Sequence, residues 1–349
     1  MVRLRTGWVL VASLALAVGL AAAVRADAIL PARDGSYSFF YSYGLGYSDG
    51  NLYVHTGNTI YQFNPNNQLF TSVATNLESA FPSNPGPSPR PFAGGFATGP
   101  GGQAMVTFGY PDGGVLAVNL SNGQAQSVPA LDTANVYSGA SNTAGRFIGV
   151  LTTSDYSVST RLEDVNTGTL TAQDIVDVAP GATIASGGLA FDSAGNLVVG
   201  TLDYSSNTVA FYQISASELA AYYASGTTPS YTLLGQGTAN GDGNIVVANS
   251  GDIYFDTTTG IGVLNHETGT VSNFLGDIND PNLFNYGMTP PYQGLAYNPT
   301  TNQIVFAQEV GTGSSYTLSF VTVPEPASLL LLCAGGLLLA GRRGRPSQA

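Results

Sequence analysis

From about residue 29 to residue 322 the chain repeats one short pattern: three apolar or small residues, a polar turn, and a second apolar run. The clearest copy is Leu189-Ala190-Phe191, a turn over 192–196, and Leu197-Val198-Val199. Matching it are Leu45-Gly46-Tyr47 with Leu52-Tyr53-Val54, Ile245-Val246-Val247 with Ile253-Tyr254-Phe255, and Leu295-Ala296-Tyr297 with Ile304-Val305-Phe306. Two weaker copies pair Phe96-Ala97-Thr98 with Ala104-Met105-Val106, and Ser138-Gly139-Ala140 with Phe147-Ile148-Gly149. Runs this short, bounded by Gly, Asn and Asp, predict paired strands, because a helix shows its period only over roughly 10 residues or more.

The openings at Leu45, Phe96, Gly139, Leu189, Ile245 and Leu295 stand 43 to 56 residues apart. A strand-and-turn repeat of about 40–50 residues predicts an all-β, six-bladed β-propeller over 29–322, with one four-stranded blade per repeat. A second register supports it. Strands over 59–63, 115–119, 162–165 and 261–264 each run into an Asn-containing turn, a residue that tolerates the left-handed conformations of tight hairpins. The longest gap holds Ser215-Ala216-Ser217-Glu218, a capping box that predicts a helix of about two turns within the fourth repeat. The last repeat is one strand short, and the orphan strand 36–41 is expected to close the ring by pairing with 316–321.

The two ends carry different patterns. Arg3 and Arg5, an apolar run over 8–23 and Ala26-Asp27-Ala28 read as a secretory signal peptide over 1–28, cut after Ala28 or after Ala26. At the other end Val323-Pro324-Glu325-Pro326 precedes a Leu-rich, uncharged stretch over 328–340 and a basic cluster, Arg342, Arg343 and Arg345. The prolines hold the backbone extended. The apolar stretch is shorter than the ~20 residues of a usual transmembrane helix, a mismatch that bilayer thinning and snorkelling arginines can absorb. Retained arginines place that end in the cytoplasm.

This order of elements over 323–345 resembles the PEP-CTERM sorting tail of Gram-negative surface proteins. The resemblance implies that an exosortase reads Pro324-Glu325-Pro326 while the helix parks the precursor in the inner membrane. It further implies a mature protein at the cell surface or in the extracellular matrix, associated with exopolysaccharide. The stretch Gly188-Leu189-Ala190-Phe191-Asp192, ending in Gly195-Asn196-Leu197, is similar to the repeats of NHL and SMP-30-like propellers, and carries no activity with it.

Charge narrows the partners. The chain has no lysine, and between Ala28 and Val323 four arginines face twenty acidic residues, a formal charge of −16. Such a surface repels nucleic acid and anionic headgroups, so no nucleic-acid partner is expected. Charged residues make up 9% of the chain against a usual ~25%, and Gly, Ser, Thr, Asn and Tyr replace them, as in a turn-rich exported protein. The one cysteine, Cys333, lies in the C-terminal apolar stretch, so the body has neither disulfide nor thiolate chemistry.

The search for chemistry is mostly negative. His55 and His266 read as structural histidines, because acid–base pairs and metal sites need convergent partners that the linear sequence does not display. No serine-hydrolase elbow, HExxH or cysteine metal motif occurs. Gly99-Pro100-Gly101-Gly102-Gln103-Ala104 precedes a strand, so it is a hairpin turn and not a dinucleotide loop. Asn240-Gly241-Asp242-Gly243-Asn244 opens like a calcium loop, but Ile245 replaces the required glycine and Gly251 the bidentate carboxylate. An irregular calcium site stays open, and SMP-30-like lactonases imply a metal in the ring centre, with ligands that match no residues placeable here. Two Pro- and aromatic-rich stretches, 81–91 and 280–292, serve as blade connectors or as a ligand platform. Asp49, Asp192 and Asp252 are assigned to hairpin turns that point into solvent.

The chain therefore reads as a non-enzymatic surface or matrix protein, without catalytic residues or a cofactor, whose partners are signal peptidase, exosortase and exopolysaccharide. The alternative is an extracellular hydrolase or lyase for a carbohydrate or lactone, with calcium. Replacing Pro324, Glu325 and Pro326 together by alanine is expected to leave a membrane-held precursor in a host with an exosortase. Cell fractionation checks this, and equal release of parent and variant would count against the sorting assignment.

Overall fold

The computed structural model describes residues 25–32, 34, 43–81, 93–108, 113–132, 135–152, 160–179, 188–203, 206–240, 244–257, 259–279, 292–310 and 315–323. The leader before Arg25, the strand expected over 36–41, most of both proline-rich stretches, Asp242, the sorting residues Pro324, Glu325 and Pro326, and the basic cluster Arg342, Arg343 and Arg345 lie outside the described residues.

The predicted hairpins form, each inside a four-stranded antiparallel meander. The first comprises β2 (Gly44–Ser48), β3 (Asn51–His55), β4 (Ile60–Asn64) and β5 (Leu69–Ala74). The second comprises β6 (Ala93–Thr98), β7 (Gln103–Phe108), β8 (Gly114–Asn119) and β9 (Gln124–Ser127). The third comprises β10 (Asn135–Ser141), β11 (Phe147–Thr152), β12 (Thr160–Asn166) and β13 (Thr171–Val178). Next come β14 (Leu189–Phe191), β15 (Leu197–Asp203), β16 (Thr208–Ile214) and β17 (Thr232–Thr238), then β18 (Ile245–Val247), β19 (Ile253–Asp256), β20 (Gly260–Asn265) and β21 (Thr270–Gly276). Their outer strands touch through one parallel pair, Gln236 with Thr270, which joins these two meanders into one eight-stranded sheet. The final sheet holds β22 (Tyr292–Asn298), β23 (Gln303–Glu309), β24 (Tyr316–Thr322) and β1 (Arg25–Ile29). The paired runs match the inner registers where Leu45 faces Val54, Phe96 faces Val106 and Leu189 faces Val199, whereas the third hairpin is shifted by one residue, with Gly139 and not Ser138 opposite Gly149, next to a bulge between Val136 and Ser138.

The first strand of each meander lies against the first strand of the next, and β22 returns to β2, so the contacts close in a cycle. Strands that converge this closely need small residues. A Cβ on Gly44 would sit 2.4 Å from Cβ of Phe96, and one on Gly139 would sit 2.3 Å from Cε of Met105. The later strands supply the bulk. One apolar cluster fills each seam between neighbouring meanders; for example, Ile60 and Leu77 pack against Val106 and Leu116. Others join Ile148 and Ile175 to Leu197 and Ile214, and Tyr254 to Ile304 and Phe306. Each such side chain contributes roughly 1.5–3 kcal/mol on burial, so the seams hold the ring together.

Closure differs from the expectation. The partner of the last strand is β1, paired antiparallel through Arg25 with Phe320, Ala26 with Ser319, Ala28 with Leu318 and Ile29 with Thr317. The folded unit thus reaches back into the stretch assigned to the leader. The inserted helix, α1 (Ala216–Ser225), is longer than expected and uses half of its capping box. Ser215 Oγ accepts the Glu218 N–H at 3.2 Å, but the Glu218 carboxylate turns away to accept the Ser230 N–H at 2.9 Å. Leu219 and Tyr222 anchor the helix across the seam onto Ile175 and Val178.

Gly294 is the tightest point of the closing seam. Its φ is +61°, at a bulge between Gln293 and Leu295, and a Cβ there would lie 2.1 Å from the Tyr43 carbonyl oxygen. Gly294→Ala is therefore expected to cost more than about 1 kcal/mol through backbone strain and collision. An unchanged urea midpoint would show that this seam yields freely.

Candidate functional site

The six first strands leave a cavity of about 320 Å³ on the axis, near the lower end of the ~300–1,000 Å³ typical of small-molecule sites. Leu45, Phe96, Ala140, Leu189 and Leu295 give it an apolar wall, a direct result of the inward-facing apolar runs. Polar groups gather at the rim, where first strands enter their turns. Thr98 Oγ1 donates to the Tyr47 carbonyl at 2.7 Å, tying the first meander to the second. The Tyr297 hydroxyl accepts the Asn249 N–H at 3.0 Å and donates to Asn302 Oδ1 at 2.5 Å. Burial raises the Tyr47 phenol above its ordinary value, against a hydrogen bond from Asn298 that lowers it. The rim thus presents two phenol rings, Tyr47 and Tyr297, fixed by neighbours.

Asp192 is the one carboxylate among the described lining residues. Its oxygens accept the N–H groups of Ala194 and Asn196 at 2.9 and 2.8 Å and the Asn196 amide at 2.8 Å, so it serves the turn as expected. Asp252 departs from the expectation. Instead of pointing into solvent, it accepts from the His266 backbone at 3.0 Å and faces His266 Nδ1 at 3.1 Å.

Asn244, at the entry of β18, also lines the cavity and donates to Asp256 Oδ2 at 3.3 Å. The same oxygen accepts the Gly294 N–H at 2.8 Å, so a buried carboxylate bridges two meanders. Burial pushes its pKa up to about 7, only partly opposed by those hydrogen bonds. Asp256 therefore changes charge near neutrality, the range in which a carboxyl can both hold and release a proton. Sequence reasoning missed it, since a lone aspartate closing the run Ile253-Tyr254-Phe255 matches no motif. The available signal was a charged residue inside an otherwise apolar strand.

His55 is fully enclosed. It faces the Gly57 carbonyl through Nε2 at 2.9 Å, stacks on Phe96 with centroids 5.7 Å apart, and is pushed down to about 4 by burial. A neutral ring in that setting is packing. Arg146 is paired with Asp164 and lies 4.5 Å over the Tyr223 ring, while Arg161 pairs with Glu163 and Asp174. Both guanidinium groups are engaged on the third meander, and neither lines the cavity. Among the described residues no group of three or more His, Cys, Asp or Glu stands close enough to share a metal ion. The described lining residues, with Asp192 as their one carboxylate, do not fit a metal cradle. No helix among the described residues is long and apolar enough to cross a membrane.

No family model matches the chain, and no curated protein does. Solved structures do match in fold. An oligogalacturonate lyase in complex with manganese aligns with a TM-score of 0.52 at 12% identity, over 82% of this chain and 77% of that one. A gluconolactonase from Xanthomonas campestris aligns with a TM-score of 0.53 at 12% identity, over 87% and 96%. At this identity the likeness shows the fold alone, a propeller-type ring of small sheets. It nevertheless overturns the expectation that the chain is not an enzyme. That expectation took missing local motifs as decisive, whereas this fold carries a lyase and a lactonase in the proteins it matches.

A test of Asp256 follows from its pKa. Between about pH 4 and 7 the folded chain keeps a proton that the unfolded chain has released, so stability falls as pH rises through that window. Asp256→Asn is expected to flatten this slope, narrowing the change between pH 4.5 and 7.5 by roughly 2–4 kcal/mol. Urea unfolding at the two pH values measures it, and parallel behaviour of parent and variant would contradict the assignment.

Proposed function

We propose that this chain is an exported six-bladed β-propeller whose axial cavity is the substrate site of a hydrolase or lyase for an extracellular carbohydrate or lactone. The observation that carries the reading is the cavity itself, built from all six first strands, with an apolar wall and two fixed phenols at its rim. Aromatic rings with hydroxyls at one end suit a sugar ring, which has apolar faces and a polar edge. The lyase and the lactonase that share the fold are named for sugar-derived substrates, which supports this class. Asp192, the carboxylate among the described lining residues, is the acidic group within reach of a bound sugar, while Asp256, one hydrogen bond behind Asn244, positions that amide at the cavity wall. Delivery runs through the leader and the tail, with an exosortase acting at Pro324-Glu325-Pro326 and the mature ring at the cell surface or in the exopolysaccharide matrix.

Charge selects within that class. The body carries −16, and the described cavity lining includes no cation. A polyuronate would enter against this field, so the favoured substrates are uncharged oligosaccharides and lactones.

The exported protein is therefore expected to turn over a neutral oligosaccharide or a sugar lactone faster than any oligouronate. Ser193, exposed at the rim, offers a block that leaves the core alone. Ser193→Trp is expected to lower turnover at least about tenfold with an unchanged unfolding midpoint. Binding without turnover across all three substrate groups, or turnover indifferent to Ser193→Trp, would refute the reading.

A further inference from the structure

Asn244 stands between the cavity and a buried carboxylate. It lines the wall at the entry of β18, and its Nδ2 donates to Asp256 Oδ2 at 3.3 Å, while among the described residues its Oδ1 has no hydrogen-bond partner. One end of the amide is tied into the seam and the other is left for the cavity. Asp256 is 5% exposed, and the groups facing it are few: the Gly294 N–H at 2.8 Å on the same oxygen, and the backbone N–H groups of Asn244 and of Asp256 itself. The strands packed against it, β18, β20 and β22, carry no carboxylate, imidazole or guanidinium, and their ionisable side chains are the phenols Tyr292 and Tyr297. Asp242, two residues before Asn244, lies outside the described residues.

A carboxylate can only accept hydrogen bonds, whereas a protonated carboxyl has one O–H to donate. Charged Asp256 therefore bonds Asn244 through the amide N–H, which turns Oδ1 to the cavity. Protonated Asp256 donates to Oδ1 instead, and a half-turn of the amide then shows its two N–H groups to the cavity. The two orientations fill nearly the same volume, so the exchange needs no backbone movement. We propose that Asn244 is a specificity-determining residue of the cavity, and that the protonation state of Asp256 decides whether its amide accepts from or donates to a ligand. The inference rests on the reading of the cavity as a substrate site. A sugar hydroxyl, donor and acceptor at once, fits both orientations. A lactone carbonyl only accepts, so it fits the wall when Asp256 is protonated and meets the amide oxygen when Asp256 is charged.

Two measurements on the full chain test this. The first follows the Asn244 side-chain amide in proton–nitrogen NMR spectra from about pH 5 to 9, with the signal assigned by its loss in Asn244→Ala. Expected is one titration with a midpoint near the Asp256 pKa of about 7, absent in Asp256→Asn. An amide signal that holds one position in the parent overturns the proposal, whether or not the variant folds. The second compares turnover of a sugar lactone with that of a neutral oligosaccharide over the same range. Their ratio is expected to fall about tenfold from acid to alkaline pH in the parent, the scale of one mismatched hydrogen bond, and to stay level in Asp256→Asn. A level ratio in the parent overturns the proposal while the turnover itself upholds the substrate site. Absence of turnover with a titrating amide refutes the substrate site instead, and leaves the coupling of Asn244 to Asp256 standing.

Discussion

The ring depends on the antiparallel pairing of β1 with β24, two segments from opposite ends of the chain. Bringing ends this far apart in sequence together costs roughly 5 kcal/mol of loop entropy beyond a constant. The seam offsets it by burying Tyr43, Tyr316 and Leu318 at 1% exposure or less. Tyr43 and Tyr316 meet at a centroid distance of 5.3 Å, and the Tyr316 hydroxyl accepts from the buried Gln293 amide at 2.7 Å. Every other seam joins meanders that follow each other along the chain, and those seams carry aromatic and polar ties as well, such as Phe211 on Phe255 and the Asp256–Gly294 bridge.

The same convergence produces both the core and the cavity. Six first strands meet at the axis, and close approach restricts them to glycine, alanine and serine at positions such as Gly44, Gly95 and Gly139. Apolar residues of the later strands fill the seams and hold neighbouring sheets together, while Leu45, Phe96, Leu189 and Leu295 of the first strands wall the axial cavity, with polar atoms where strands give way to turns. The seams carry one carboxylate close behind the cavity wall: Asp256, held between Asn244 of its own meander and Gly294 of the next.

This division explains what the sequence disclosed. Inner hairpins were legible because both faces of those strands are buried, so Leu197 to Val199 and Ile304 to Phe306 read as continuous apolar runs. The outermost strands were not. Leu69–Ala74 and Thr270–Gly276 are largely exposed and spell mixtures of Thr, Ser and Asn that resemble loop sequence. Strand β1 was hidden for another reason, since Ala26-Asp27-Ala28 satisfies a leader cleavage pattern and a half-buried edge strand at once. The buried carboxylate escaped because Asn244, Asp256 and Gly294 are brought together only by the pairing of whole strands.

The two ends also fix where the rim faces. Strand β24 runs into Val323, whose N–H donates to the Asn302 carbonyl at 2.9 Å and whose carbonyl accepts the Asn302 amide at 2.6 Å. Asn302 is the residue that receives the Tyr297 hydroxyl at the cavity rim. One turn therefore holds both the root of the tail and one wall of the candidate site. Because β1 is antiparallel to β24, its N-terminal end lies beside the point where β24 leaves. Any leader and any tail depart from the same face of the ring, side by side, and that face is the one with the polar rim.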